Sequence, residues 1–156
     1  MFSKDEIEII YERHVETVYR VCFMFMKNVP DTEDAVSTTF TKLMNHRGDF
    51  ENTEHEKAWL IVTASNVCKN MLRHWWRKTT VIEENMIPIY RDHHDELLTQ
   101  VLNLPAKYKT TIYLYYYEGY SSVEIARMLK KNESTIRSYL KNGRDLLRLS
   151  LGGEDR

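Results

Sequence analysis

The chain has 156 residues, of which 42% are hydrophobic and 29% are charged, so it can bury one moderate core or two small ones. No basic segment followed by an apolar stretch opens it, and no apolar run approaches the roughly 20 residues that a membrane-spanning helix needs. This composition excludes a membrane-spanning helical protein, and we expect a cytoplasmic one.

The net charge of -1 conceals a segregated distribution. Residues 1–60 carry seven basic and twelve acidic side chains, whereas residues 61–80 carry four cations and no acid. Residues 81–98 are again acidic, and residues 99–156 carry ten basic and six acidic side chains. Because nucleic-acid binding depends on local charge, the two basic zones favour two separate contacts with nucleic acid. A solvated helix face could also carry such a run of cations, so each basic zone taken alone leaves this alternative open.

The cysteines and histidines indicate neither a disulfide nor a metal site. Cys22 and Cys68 form no CxxC motif, and we interpret both as small buried apolar residues in a reducing compartment. His93 and His94 stand in a polar stretch, where adjacent side chains rarely point at one ion. No acid/base pair or activated nucleophile stands at useful spacing. We therefore expect no metal, no cofactor, no small-molecule substrate and no enzymatic activity.

Apolar side chains recur at helical spacing in the first half, and no strand pattern is convincing anywhere, which predicts an all-α protein. The spacing predicts a first helix of about twenty residues that ends at Asn28-Val29-Pro30. The acidic run Asp31-Thr32-Glu33-Asp34 opens a second helix, because carboxylates in a first turn complement the helix dipole. A polar loop at residues 47–53 precedes a long third helix from Glu54 to Lys78.

A domain boundary is predicted at residues 79–94, which lose the helical period and contain Pro88. A stretch of this length without regular structure is typical of a flexible linker. The sequence therefore predicts two small helical domains, at residues 1–78 and 95–151.

The second domain is predicted to contain a helix-turn-helix. A short helix covers residues 95–104, and a second one opens at Pro105 in the first helical position and is closed by Gly119. Ser121 and Glu124 then have the spacing of a capping box, which starts another short helix.

A polar turn, Lys130-Lys131-Asn132, leads to the last helix, which is amphipathic. Its apolar stripe consists of Ile136, Leu140, Gly143 and Leu147. The opposite face carries small or cationic side chains at helical spacing, namely Ser134, Arg137, Ser138 and Lys141. A short helix, a turn and a helix with such a face are typical of a motif that enters the major groove of duplex DNA. A solvated face of an ordinary helical hairpin is the alternative.

The cations of this last helix are predicted to have two roles. Arg137 has the fork geometry that pairs with O6 and N7 of guanine. Lys141, Arg144 and Arg148 are expected to contact phosphates, which position the helix without reading sequence.

Residues 69–78 form the other basic zone, where four cations alternate with Trp75 and Trp76. Bases stack on aromatic rings while cations contact the backbone, so this composition favours single-stranded or melted nucleic acid. Adjacent side chains point in different directions on a helix, and we expect at least one of the two rings in the core.

A larger set of motifs runs through both halves of the chain. In the first half it comprises Tyr11, Tyr19-Arg20, Asp31-Thr32-Glu33-Asp34-Ala35-Val36, Phe40, Leu43, Ala58-Trp59-Leu60, Asn66 and Arg73. In the second half it comprises Leu104-Pro105, Tyr116-Tyr117-Glu118-Gly119, Glu124-Ile125-Ala126, Leu129, Glu133-Ser134-Thr135-Ile136-Arg137-Ser138, Leu140 and Arg144. In order and spacing this set resembles an extracytoplasmic-function (ECF) sigma factor, the minimal form of the bacterial sigma-70 family, with sigma regions two and four.

The resemblance implies that region two is a three-helix bundle and region four a helix-turn-helix. Region two would bind the clamp helices of the β′ subunit of core RNA polymerase, and region four would bind the β flap. The polymerase-binding residues would be Asp31, Glu33, Asp34, Phe40 and Leu43.

Promoter DNA and an anti-sigma factor are the other partners that the resemblance implies. A loop at residues 48–56 would help to capture an unstacked base of the minus-ten element. The minus-ten residues would be Asn66, Asn70, Arg73, Trp75 and Arg77. The minus-thirty-five residues would be Ser134, Thr135, Arg137, Ser138, Lys141 and Arg144.

The chain departs from the family pattern in three places. Members usually have Gln-Glu in place of Ser37-Thr38, Asp in place of Asn70, and Gly with an apolar residue in place of Lys130-Lys131. The last two changes make the DNA-facing charge more positive and favour tighter contact with the DNA backbone.

We therefore predict a subunit that confers promoter specificity on core polymerase and helps to melt DNA without covalent chemistry. The helix-turn-helix by itself leaves one alternative, a stand-alone repressor or activator whose N-terminal half is a dimerisation or ligand module.

Overall fold

The structure, a computed structural model, describes residues 1–78 and 100–150. Every regular element in these ranges is helical, which confirms the all-α prediction. The chain divides into two compact units, Met1–Tyr90 and Arg91–Arg156. The linker predicted at residues 79–94 lies outside the described residues. None of the described helices is long and apolar enough to cross a membrane.

The N-terminal unit is a bundle of α1 (Lys4–Met26), α2 (Val29–Met44) and α3 (Thr53–Lys78), in which each helix packs against the other two. Apolar residues at helical spacing on the facing sides of the three helices form its core. Cys22 and Cys68 are buried, as predicted, and are not joined by a disulfide. The core also contains Val18, Val21, Leu43, Leu60 and Ile61.

The junction between α1 and α2 differs from the prediction. Asn28 is extended and caps α2: its side-chain oxygen accepts a hydrogen bond from the Asp31 amide at 2.9 Å, and its side-chain nitrogen donates to the Asp31 carboxylate at 2.8 Å. Val29 and Pro30 therefore belong to the first turn of α2, where a missing N–H costs nothing. The prediction that these residues only end α1 was wrong, since proline is compatible with a first turn as well as with a break.

A buried carboxylate ties α1 to the first turns of α3. Glu56 is only 7% exposed, and its Oε1 lies 2.7 Å from His14 Nε2 and 2.6 Å from Arg13 Nη1. A buried polar group is costly unless it has partners, and here three groups satisfy one another. The first part of α3 is thereby held against the middle of α1.

The C-terminal unit contains helical residues 100–102 and then α4 (Ala106–Ile112), which continues as a π-helical segment, Tyr113–Tyr117. Pro105 is the N-cap of α4 rather than its first residue. The π-helical segment was not predicted, and it ends as the Glu118 amide donates to the Tyr113 carbonyl at 3.2 Å. Gly119, with φ of 79°, closes the element as predicted.

The helix-turn-helix follows as α5 (Ser122–Leu129) and α6 (Glu133–Ser150). The predicted capping box is present: the Glu124 amide donates to Ser121 Oγ at 3.1 Å, and the Ser121 amide donates to Glu124 Oε1 at 2.8 Å. Lys130 turns the chain in the left-handed conformation, with φ of 58°. The core of this unit contains Val101, Leu114, Ile125, Ile136 and Leu140.

Gly143 is the closest point between α6 and α4. A Cβ at this position would lie 3.0 Å from Ile112 Cγ1 and 3.4 Å from Tyr108 Cβ. Glycine therefore allows α6 to lie close to α4, and a larger residue at this position would push the two helices apart. The need for a small residue at Gly143 thus sets the spacing of the two helices.

We expect Glu56→Ala to lower the free energy of unfolding of the N-terminal unit by about 2–3 kcal/mol, because buried His14 loses its partner. Urea denaturation followed by tryptophan fluorescence measures this, since all three tryptophans lie between residues 59 and 76. Glu54→Ala, at an exposed position of the same turn, is the control, with an expected change below about 1 kcal/mol. Equal losses in the two variants would contradict the role of the buried carboxylate.

We expect Gly143→Val to destabilise the C-terminal unit by about 2 kcal/mol or more, because the added methyl groups overlap Ile112 in a closely packed core. Amide hydrogen exchange along α6 measures the opening of this unit. Asn142→Val places the same side chain at the exposed neighbouring position and should change protection little. Unchanged exchange in the Gly143 variant would show that the two helices can separate without cost.

Candidate nucleic-acid interface

The last helix presents one polar face to solvent. Ser134, Arg137, Ser138 and Lys141 are all exposed, and we call these four residues the recognition face. On the opposite side Ile136 and Leu140 are buried, as the apolar stripe predicted. The helix-turn-helix core therefore decides which side of α6 is available to a partner.

The two other residues predicted for duplex DNA flank the recognition face. Thr135 is half-buried beside Ile136, whereas Arg144 is exposed one turn beyond Lys141. Ser134 and Thr135 stand in the first turn of α6, where backbone N–H groups add to the attraction for phosphate. Arg148, the last predicted phosphate contact, is also exposed.

Glu133 holds Arg137 and also joins the two helices of the motif. Its Oε2 accepts a hydrogen bond from Ser122 Oγ on α5 at 2.9 Å and forms an ion pair with Arg137 Nη1 at 2.9 Å. The hydrogen bonds from Ser122 and Arg137 hold the pKa of Glu133 below its ordinary value. Glu133 thus limits the conformations of the arginine that is predicted to read a base.

A second carboxylate, Asp145, lies between two of the predicted phosphate-binding cations. It is 3.1 Å from Lys141 Nζ and 3.5 Å from Arg148 Nη1. Arg144 has a neutral partner instead, since its Nη1 donates to the hydroxyl of Tyr116 at 3.2 Å.

Sequence reasoning missed all three of these partners. The spacing of Glu133 to Arg137 and of Lys141 to Asp145 is i, i+4, and this signal could have identified both ion pairs. Tyr116 is 28 positions from Arg144, and no sequence pattern indicates that contact.

In the N-terminal unit, α3 carries the residues predicted for melted DNA. Asn66, Asn70 and Arg73 are exposed and follow Trp59 at separations of seven, four and three positions, so the four lie on one side of the helix, which we call the α3 stripe. Arg73 Nη1 donates to Asn70 Oδ1 at 2.9 Å.

The predicted pair of tryptophans is only partly described. Trp75 is half-buried, whereas the side chains of Trp76 and Arg77 lie outside the described residues. The prediction that at least one ring enters the core therefore stays a prediction.

An aromatic cluster that the sequence analysis did not identify lies at the N-terminal end of the α3 stripe. The rings of His46 and Phe50 stack at 5.1 Å between centroids with planes 4° apart, and Trp59 lies 4.7 Å from His46. Phe2 stacks on Phe50 at 5.6 Å from the start of the chain. These four rings are only half-buried, so the loop after α2 presents aromatic surface to solvent.

The residues predicted to bind polymerase separate into two groups. Glu33 and Asp34 are exposed in the first part of α2, and Asp31 is half-buried in its hydrogen bonds with Asn28. Phe40 and Leu43, in contrast, lie in the core and are only 6% and 0% exposed. Their contact with polymerase stays a prediction; they form the buried side of α2, and its opposite side is exposed.

The family models agree with this division of the chain. A model described as sigma-70 region 2 matches residues 10–78, and one described as sigma-70, region 4 matches residues 94–147. Together the two matches cover most of the chain.

Similar proteins of known name are ECF sigma factors. SigX of Bacillus subtilis (strain 168), an ECF RNA polymerase sigma factor, is 25% identical over 165 residues, which cover 93% of this chain and 83% of that protein. The RNA polymerase sigma factor SigV of the same organism is 29% identical over 148 residues, which cover 91% of this chain and 89% of that protein.

Solved structures share the fold. The sigma factor RpoE in complex with the anti-sigma factor NepR from Bartonella quintana matches with a TM-score of 0.72 at 20% identity, covering 98% of each chain. CnrH in complex with the cytosolic domain of CnrY matches with a TM-score of 0.67 at 16% identity, covering 97% of this chain and 91% of that one. The chain therefore belongs to the sigma-70 family as an RNA polymerase sigma factor of the ECF type.

Proposed function

We propose that this sigma factor directs polymerase to promoters by contacting DNA at two places. The recognition face of α6 binds the duplex minus-thirty-five element, and the α3 stripe binds the melted minus-ten element. The observation that carries the proposal is the exposed polar face of α6, whose width and small side chains suit a major groove. In this assignment residues 1–78 and 95–151 are the two DNA-binding domains, and residues 79–94 join them.

Within the recognition face, Arg137 is the base reader. A guanidinium gains specificity when its orientation is fixed before binding, and Glu133 supplies that constraint in the free protein. Ser134 and Ser138 are short enough to let the helix approach the base edges. Lys141, Arg144 and Arg148 contact phosphates and fix the register of the helix on the duplex.

Melted minus-ten DNA binds along the α3 stripe and the adjacent aromatic cluster. The amide groups of Asn66 and Asn70 can hydrogen-bond to the edges of unpaired bases, and Arg73 can contact the backbone. Half-exposed rings such as Phe50 and Trp59 offer faces on which an unstacked base gains about 1–3 kcal/mol. Trp75 extends this surface toward the end of α3, and Arg77, whose side chain lies outside the described residues, is a predicted further contact.

Polymerase and an anti-sigma factor are the protein partners in this proposal. The exposed side of α2, with Glu33 and Asp34 near its positive end, docks on the clamp helices of the β′ subunit, while region four contacts the β flap. The two solved structures named above were determined as complexes, one of them with an anti-sigma factor. We propose that this chain too is held inactive in the cytoplasm by such a protein, and that it acts by binding alone, without catalysing a reaction.

Run-off transcription with core polymerase tests the proposed function. We expect promoter-directed transcripts from a library of genomic fragments that includes the region upstream of its own gene, and none with core polymerase alone. If none of the fragments gave a promoter-directed transcript, the result would contradict the proposal. A tight two-fold footprint of the free protein on duplex DNA would instead favour a stand-alone repressor or activator.

Two substitutions on the recognition face separate base reading from phosphate contact. Arg137→Ala should cost about 1–3 kcal/mol and relax the preference at one promoter position, because a fork to one base is lost. Lys141→Ala should weaken binding to all sequences and reduce the salt dependence by about one counterion. Both are measured by holoenzyme binding to promoter variants at several salt concentrations. Equal losses on all sequences for both variants would show that Arg137 is not the base reader.

A further inference from the structure

The cations along one side of α6 differ in how strongly their charge is offset. Within residues 100–150, Arg137 pairs with Glu133, and Lys141 and Arg148 share Asp145, so each of these three lies beside a carboxylate. Arg144 instead donates to the phenol of Tyr116, which carries no charge at neutral pH. Arg144 therefore presents its full positive charge to a passing phosphate.

The position of the Tyr116 ring is set by the π-helical segment. Tyr113 and Leu114, at its start, are buried, whereas Tyr115, Tyr116 and Tyr117 are between 38% and 52% exposed. The wider π turn directs these three rings away from the core, and such turns often accompany functional sites. Tyr115 lies edge-on against Tyr116 at 4.9 Å, which restricts the ring further.

The hydrogen bond between Tyr116 and Arg144 uses only part of each group. Nη1 of the guanidinium donates to the phenol oxygen, which uses one of the five N–H donors of an arginine that is itself exposed. A free arginine loses much rotamer entropy when it binds phosphate, and a partner that fixes it beforehand reduces this cost. A carboxylate would do so at the expense of charge, but a phenol fixes the arginine and leaves the charge intact.

We propose that Tyr116 is a positioning residue for DNA binding: it holds Arg144 in the orientation that contacts a phosphate of duplex DNA. The recognition surface thereby extends from α6 onto the π-helical segment that follows α4. This inference rests on the proposed function, in which α6 lies on duplex DNA, and it adds a residue from outside the two helices of the motif.

The test measures binding of the full-length chain to a mixed-sequence duplex of about 30 base pairs between 50 and 200 mM salt, the range over which phosphate contacts change affinity strongly. Tyr116→Phe, which removes one oxygen, should weaken binding about threefold to tenfold. Arg144→Ala should weaken it about as much or more and lower the salt slope by about 1. Tyr139→Phe, on the other flank of α6, is the matched control and should bind like the original chain.

The double variant distinguishes positioning from a general structural role. If Tyr116 acts through Arg144, the chain with Tyr116→Phe and Arg144→Ala together binds like Arg144→Ala alone. The proposal would be overturned if the two losses of affinity were additive, or if Tyr116→Phe left the affinity unchanged. It would also be overturned if a lowered melting temperature accounted for the loss, or if the original chain did not bind the duplex. Because the assay needs neither promoter nor polymerase, its failure is distinct from a failure of the transcription assay.

Discussion

The close approach of α6 to α4 at Gly143 positions the side of α6 that we propose to contact DNA. With no side chain at that point, α6 packs within van der Waals distance of Ile112 and Tyr108 and buries Ile136 and Leu140 beside it. This packing fixes the rotation of α6 about its axis, so its polar residues face solvent. The next residue, Arg144, forms a hydrogen bond with Tyr116 in the π-helical segment that continues α4.

The ion pairs on α6 moderate its attraction for DNA. Each carboxylate offsets part of the cation charge on the recognition face and its flank, which lowers the sequence-independent part of the binding energy. A weak general attraction is useful to a subunit that must find a promoter only together with polymerase, because it limits binding of the free protein elsewhere. Glu133 has a further effect, since its bond to Ser122 on α5 makes the orientation of Arg137 depend on the geometry of the whole motif.

The N-terminal unit also presents its candidate DNA-binding residues on one exposed side, but with different side chains. The buried bonds of Glu56 to Arg13 and His14 fix the beginning of α3 against α1, and from there the α3 stripe runs along the exposed side. At its start the stacked His46 and Phe50 rings give shape to the loop after α2. Amides, a guanidinium and aromatic rings thus stand in one row, which suits the flexible single strand that we propose for α3, whereas α6 has the compact surface that we propose for a rigid duplex.

Features that depend on neighbouring residues could be predicted from the sequence. The helix spans, the capping box at Ser121, the closing Gly119 and the two sides of α6 follow from spacing, since a helix brings residues three and four positions apart onto one face. The cap formed by Asn28, the ring cluster around Phe50 and the bond between Tyr116 and Arg144 were decided by tertiary structure. Each of these features depends on how the helices pack. Packing brings together residues that are distant in sequence and selects one of two local conformations that the sequence permits. Local spacing carries no information about either.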